Sequence, residues 1–106
     1  MKLIRKPDEL KELISNSPMV IVNFTASWCG PCQIADPLFE ELASKNPDIQ
    51  FAKINVDEDG GISDSYNIGS MPTFLAFNKG HCLDKYTGSK PAGLVKLIEQ
   101  LKETKE

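Results

Sequence analysis

The hydrophobic positions of this chain change period along its length, and the changes mark out the elements. Lys2 to Arg5 alternates weakly as a short strand, and Pro7-Asp8-Glu9 then opens a helix with Leu10, Leu13 and Ile14 on one face, stopped by Asn16-Ser17-Pro18. Met19 to Phe24 is an apolar, β-branched run broken only by Asn23, which fits a central strand covered on both faces. Pro31 suits the first turn of a second helix, where its missing amide hydrogen has no intrahelical partner. Ile34, Ala35, Leu38, Phe39, Leu42 and Ala43 form its predicted apolar face before Lys45-Asn46-Pro47 ends it, and Pro37 should bend but not break it.

The second half reads as a strand from Gln50 to Val56, a solvated turn at Asp57-Glu58-Asp59-Gly60-Gly61, and a short helix from Ile62 to Tyr66. Thr73 to Phe77 and His81 to Thr87 form a hairpin about Asn78-Lys79-Gly80. Lys90 to Lys102 is the last helix, with Leu94, Val95, Leu97, Ile98 and Leu101 facing the sheet. Strands and helices that alternate and then close with a hairpin and a helix predict an α/β fold of three layers, a central mixed sheet flanked by helices on both faces. The 106 residues are enough for a single domain spanning 1–106.

Composition narrows the function. A formal net charge of -3 supplies no basic field, so neither nucleic acid nor a membrane surface is an expected partner. The N-terminal residues hold no signal-like apolar run, which predicts a cytoplasmic protein. Three cysteines are too few, and odd in number, for a secreted disulfide framework. Two of them stand in Trp28-Cys29-Gly30-Pro31-Cys32, at the junction of the central strand and the second helix. A cysteine at a helix N-terminus meets unpaired amides and the positive end of the dipole, which favour a thiolate and make Cys29 the nucleophile. Cys32, one turn further in, is the resolving thiol. A zinc knuckle has the same spacing, but only His81 and Cys82 could complete it, and they are adjacent in sequence, so no metal is expected. Cys82 reads as apolar filler, with a regulatory thiol as its alternative; His81 and the acidic run at Asp57 read as solvated. Trp28 serves equally well as core or as a contact surface beside a reactive thiol.

Together these residues resemble the thioredoxin family across essentially the whole chain. Trp28-Cys29-Gly30-Pro31-Cys32 matches the family's active site, Pro37 its helix-kinking proline, Met71-Pro72-Thr73 its cis-proline loop, and Gly80 and Gly88 its glycines. The resemblance implies a monomeric protein-disulfide reductase that binds no cofactor of its own. Its partners would be disulfide-containing proteins and a thioredoxin reductase, a flavoprotein drawing on NADPH or a ferredoxin-linked equivalent. It also implies a substrate groove bordered by Trp28, Met71, Pro72 and Gly88, with Gly30 and Pro31 tuning the pair toward reduction.

One position departs from the family. The buried aspartate expected six residues before the first active-site cysteine is Asn23, which hydrogen-bonds but accepts no proton in this pH range. Its usual lysine companion is present as Lys53, which should turn to solvent without that partner. Solvent or a substrate group is then the expected proton acceptor. Two other functions fit less well: a module on the same scaffold that binds a partner through its groove, with redox cycling incidental, and oxidative folding in an exported compartment.

Overall fold

The computed structural model describes residues 1–104, so the last two residues of the expected domain lie outside the described ones. The elements run β1 (Lys2–Ile4), α1 (Pro7–Asn16), β2 (Met19–Thr25), α2 (Gly30–Lys45) and β3 (Gln50–Asn55). A 3₁₀ turn (Val56–Glu58), α3 (Ile62–Ser65), β4 (Thr73–Asn78), β5 (His81–Thr87) and α4 (Pro91–Glu103) follow. Each predicted element is present, with no boundary moved by more than one residue.

The five strands form one sheet in the order β1-β3-β2-β4-β5. β1, β3 and β2 are parallel, whereas β4 and β5 run antiparallel to their neighbours. β2 is therefore central, and its residues alternate between two cores. Ile21 faces α2 and α4, where it joins Ala35, Phe39, Phe51, Phe74, Leu94 and Leu97. Val20, Val22 and Phe24 face the other way, toward Leu10 of α1 and Ile62 of α3. Phe39 is fully buried and meets Phe51 and Phe74 at ring-centroid distances of 5.1 and 5.5 Å. This contact seats α2 across the sheet.

The hairpin turn carries positive φ at both central residues, 51° at Lys79 and 86° at Gly80. That pairing matches the right-handed twist of the flanking strands. α2 runs through Pro37 as one continuous helix. Two predicted core positions are corrected: Ile34 is 69% exposed and Val95 is 36% exposed. Each sits about 100° around its helix from a buried neighbour, Ala35 or Leu94, and so falls off the edge of the stripe that touches the sheet. Cys82 is corrected as well. It is exposed, because β5 is an edge strand with little covering it.

The acidic turn is also more than solvated. Asp59 is buried, accepting the amides of Gly61 and Ser63 at 2.9 Å each and so capping the start of α3. Burial works against its charge, but the hydrogen bonds from Ser63 and Gly61 outweigh that and hold its carboxyl below the usual range.

Phe39→Ala should destabilise the fold by about 3–5 kcal/mol in urea titration, the usual effect of emptying a buried phenylalanine site. Because the Asp59 carboxyl binds its proton less readily folded than unfolded, its contribution is present above the unfolded value of 3.8 and fades as pH falls through the folded one. Wild type should accordingly exceed Asp59→Asn in stability at neutral pH, with the gap closing in acid when both are melted across the pH range.

Candidate active site

β2 ends at Thr25 and α2 begins at Gly30, so Trp28 and Cys29 lie in the short connection between them. Cys29 is the N-cap of α2 in an extended conformation, and its Sγ accepts the Cys32 amide at 3.2 Å. Pro31 occupies the first turn without losing a hydrogen bond. Cys29 and Cys32 are joined by a disulfide, with Cα atoms 5.3 Å apart. One helical turn thus brings the two sulfurs within bonding reach while both stay on one scaffold element. Both are buried, Cys29 at 5% and Cys32 at 1% exposure.

The other predicted residues gather unevenly around this pair. Met71 precedes Pro72 through a cis peptide bond, and its carbonyl oxygen lies 3.5 Å from Cys29 Sγ. The Gly88 amide donates to the Pro72 carbonyl at 3.0 Å, holding the end of β5 against this loop. Gly88 has φ of +143°, and a Cβ there would sit 2.8 Å from the Tyr86 hydroxyl, so a side chain is excluded twice over. Gly30, by contrast, has open space where its side chain would be. Trp28 is 64% exposed, which rules out the core reading, and its Nε1 donates to Asp57 Oδ2 at 2.8 Å. Asp57, expected to be merely solvated, anchors that indole. With Ile34 also exposed, apolar surface flanks the disulfide where another protein could meet it.

Asn23 and Lys53 are register partners on β2 and β3, and with Thr25 they point to the α2 side of the sheet. There they meet a residue the sequence reading passed over. Asp36, on α2, accepts Asn23 Nδ2 at 2.8 Å and Thr25 Oγ1 at 3.1 Å, and its Oδ2 lies 3.5 Å from Lys53 Nζ. Lys53 does not turn away to solvent unpaired: its side chain is 32% exposed, with Glu40 a second partner at 4.0 Å. Asp36 was findable in principle. It falls one helical turn after Cys32, in a helix whose neighbouring positions are apolar. A cleft of about 990 Å³ opens beside it, lined by Thr25, Gln33, Glu40 and Lys53 among others. Cys82 is remote from this cluster in the fold, and partial burial with the nearby Asp84 carboxylate pushes its thiol up. Among the described residues no group of three His, Cys, Asp or Glu side chains is placed to hold a metal ion.

The thioredoxin family model matches residues 2–100. This chain belongs to the thioredoxin family. It is 43% identical to a thioredoxin of Mycoplasmoides gallisepticum over 96 residues, covering 91% of this chain and 96% of that one. An H-type thioredoxin of Picea mariana is 39% identical, across 88% of this chain and 74% of its own. Among solved structures, Plasmodium falciparum thioredoxin superposes with a TM-score of 0.91 at 36% identity, covering 94% of this chain and 98% of that one. The oxidised mitochondrial thioredoxin 3 of Saccharomyces cerevisiae also reaches 0.91, at 32% identity and 95% coverage of both chains. Thioredoxins are protein-disulfide oxidoreductases, and the bonded pair in this chain supports dithiol–disulfide exchange.

Trp28 is the only tryptophan, so its anchor can be read directly. Asp57→Ala should lower the fluorescence anisotropy of the indole by freeing it, while changing stability by no more than about 1 kcal/mol, since the lost hydrogen bond is exposed.

Proposed function

We propose that the chain reduces disulfides in other proteins, with Cys29 as the attacking thiolate and Cys32 as the resolving thiol. The observation that carries this reading is the disulfide at the start of α2, with Cys29 as N-cap. Amides at that terminus favour negative charge on Cys29 Sγ, whereas Cys32 lies deeper and less accessible. Cys29 Sγ attacks one sulfur of a substrate disulfide, the other leaves as a thiolate, and a mixed disulfide forms. Cys32 Sγ then attacks Cys29 Sγ, which releases the second substrate sulfur and leaves Cys29 and Cys32 joined. Two electrons pass from the protein pair to the substrate.

Trp28, Met71, Pro72 and Gly88 border the groove that receives the substrate. An extended segment lying there pairs with main chain near Met71, which reads backbone more than side chains and admits many sequences. Gly30 and Pro31, between the cysteines, bias the pair toward reduction. Recycling falls to a thioredoxin reductase, and the working form is a single-domain monomer in the cytoplasm, where thiols are kept reduced. No helix among the described residues is long and apolar enough to cross a membrane.

Reduction of insulin disulfides with dithiothreitol as electron source tests this proposal. Wild type should turn over many equivalents, and Cys29→Ser should fall to the uncatalysed rate. Cys32→Ser should instead accumulate the mixed disulfide. A folded wild type that left insulin intact would refute the assignment in favour of a binding scaffold.

A further inference from the structure

For the pair to close, Cys32 must lose its proton inside the protein. At 1% exposure it has little contact with water, and burial disfavours the thiolate. The resolving step therefore needs a proton acceptor near α2, and Asn23 cannot be one.

The candidates thin out quickly. Asp57 is engaged by Trp28, and Asp59 is tied to the amides that start α3. Glu40 is 59% exposed, two turns of helix beyond Cys32. Lys53 from β3 faces Asp36 directly, and Lys2 from β1 and Glu58 beyond β3 line the same cleft. Asp36 remains. It follows Cys32 by four residues, so their Cβ atoms lie on one helix face roughly 5–6 Å apart. Its side chain is 19% exposed, sheltered yet in touch with the cleft. The three partners around its carboxylate, Asn23, Thr25 and Lys53, all present hydrogens to it.

Asn23 supplies an independent observation. Its amide nitrogen donates to Asp36, but its Oδ1 is buried with no hydrogen-bond partner among the described residues. A buried acceptor left unpaired is costly, so such an atom calls for a donor.

We propose that Asp36 is the proton acceptor for Cys32, held in place by Asn23, Thr25 and Lys53. The inference rests on the disulfide-exchange reading and adds a residue to it. As the mixed disulfide resolves, the Cys32 proton passes to the Asp36 carboxylate through water hydrogen-bonded to Asn23 Oδ1. Cys32 Sγ forms its bond to Cys29 Sγ as the bond from Cys29 to the substrate sulfur breaks. The substrate leaves as a thiolate and takes up a proton from solvent, and Asp36 returns its own proton through the cleft. Protons and the electron pair balance with no further reactant.

The test is a stopped-flow reaction of the reduced full chain with the aromatic disulfide DTNB. The first thionitrobenzoate released reports attack by Cys29, and the second reports resolution by Cys32. Asp36→Asn should slow the second release by about a hundredfold at neutral pH, the lower end of what a placed base contributes. The first should change by less than about twofold, and the deficit in the second should shrink as pH rises and hydroxide takes over. The double variant Asn23→Asp, Asp36→Asn, which returns a carboxylate to β2, should recover most of the rate. Asp36→Glu, which keeps a carboxylate on the same helix face, should retain most of the second-phase rate and provides a reading even if Asp36→Asn does not fold. A folded Asp36→Asn with wild-type second-phase rates at every pH would overturn the proposal, as would a double variant that recovers none of the lost rate. Absence of the first release in wild type would instead strike at the disulfide-exchange reading itself.

Discussion

The packing of α2 across the sheet is the constraint on which the rest of this molecule depends. Phe39 is locked between Phe51 and Phe74, and Ala35 is small enough to let the helix lie close to Ile21. With the helix held there, its N-terminus falls at the end of the central strand, and Cys29 becomes its cap. Interiors are packed at crystal-like density, so the position of this helix is not freely adjustable. The disulfide is thus set at the start of a packed helix, with the irregular connection limited to the few residues between Thr25 and Gly30.

The same seating produces two unlike environments along one helix. At its start, backbone amides and open apolar surface meet at Cys29, with Trp28 held outward by Asp57 and Ile34 exposed nearby in sequence. One turn later Cys32 is almost fully enclosed. The two sulfurs therefore differ in surroundings although their Cα atoms are only 5.3 Å apart, Cys29 at the helix cap and Cys32 inside the helix. Met71 completes the first environment from across the sheet, its carbonyl oxygen near Cys29 because the loop before β4 is tied to Gly88.

A second turn along α2, charge enters the structure. Asp36, Asn23, Thr25 and Lys53 come from three elements and converge on the Asp36 carboxylate beneath the helix, leaving Asn23 Oδ1 as the one buried atom of the group without a partner among the described residues. An asparagine in the central strand is compatible with this arrangement because the carboxylate it would otherwise provide reaches the same space from the opposite direction. The strand carries the neutral partner and the helix the charged one.

Local pattern determined much of this protein. Period-2 alternation, helical spacing and turn residues such as Lys79-Gly80 are written in neighbouring positions, and the order of elements follows from them. The Cys29–Cys32 pair was equally legible, since its chemistry needs only a helix start and one turn of spacing. What the sequence left open was every question of which elements meet. Ile34 and Val95 carry the right hydrophobicity for a core but lie on the flank of the buried stripe, a matter of where the sheet ends. Cys82 lies on a strand like any other until β5 proves to be the edge. Asp57 and Trp28 are 29 residues apart, and Asp36 lies 13 from Asn23. Those contacts exist only because β2, β3 and α2 are stacked in space, and side-chain hydrogen bonds form over about 3 Å whatever the distance along the chain. The tertiary structure alone therefore decided what the Asp36 carboxylate meets: Asn23 and Thr25 of the central strand and Lys53 of its neighbour.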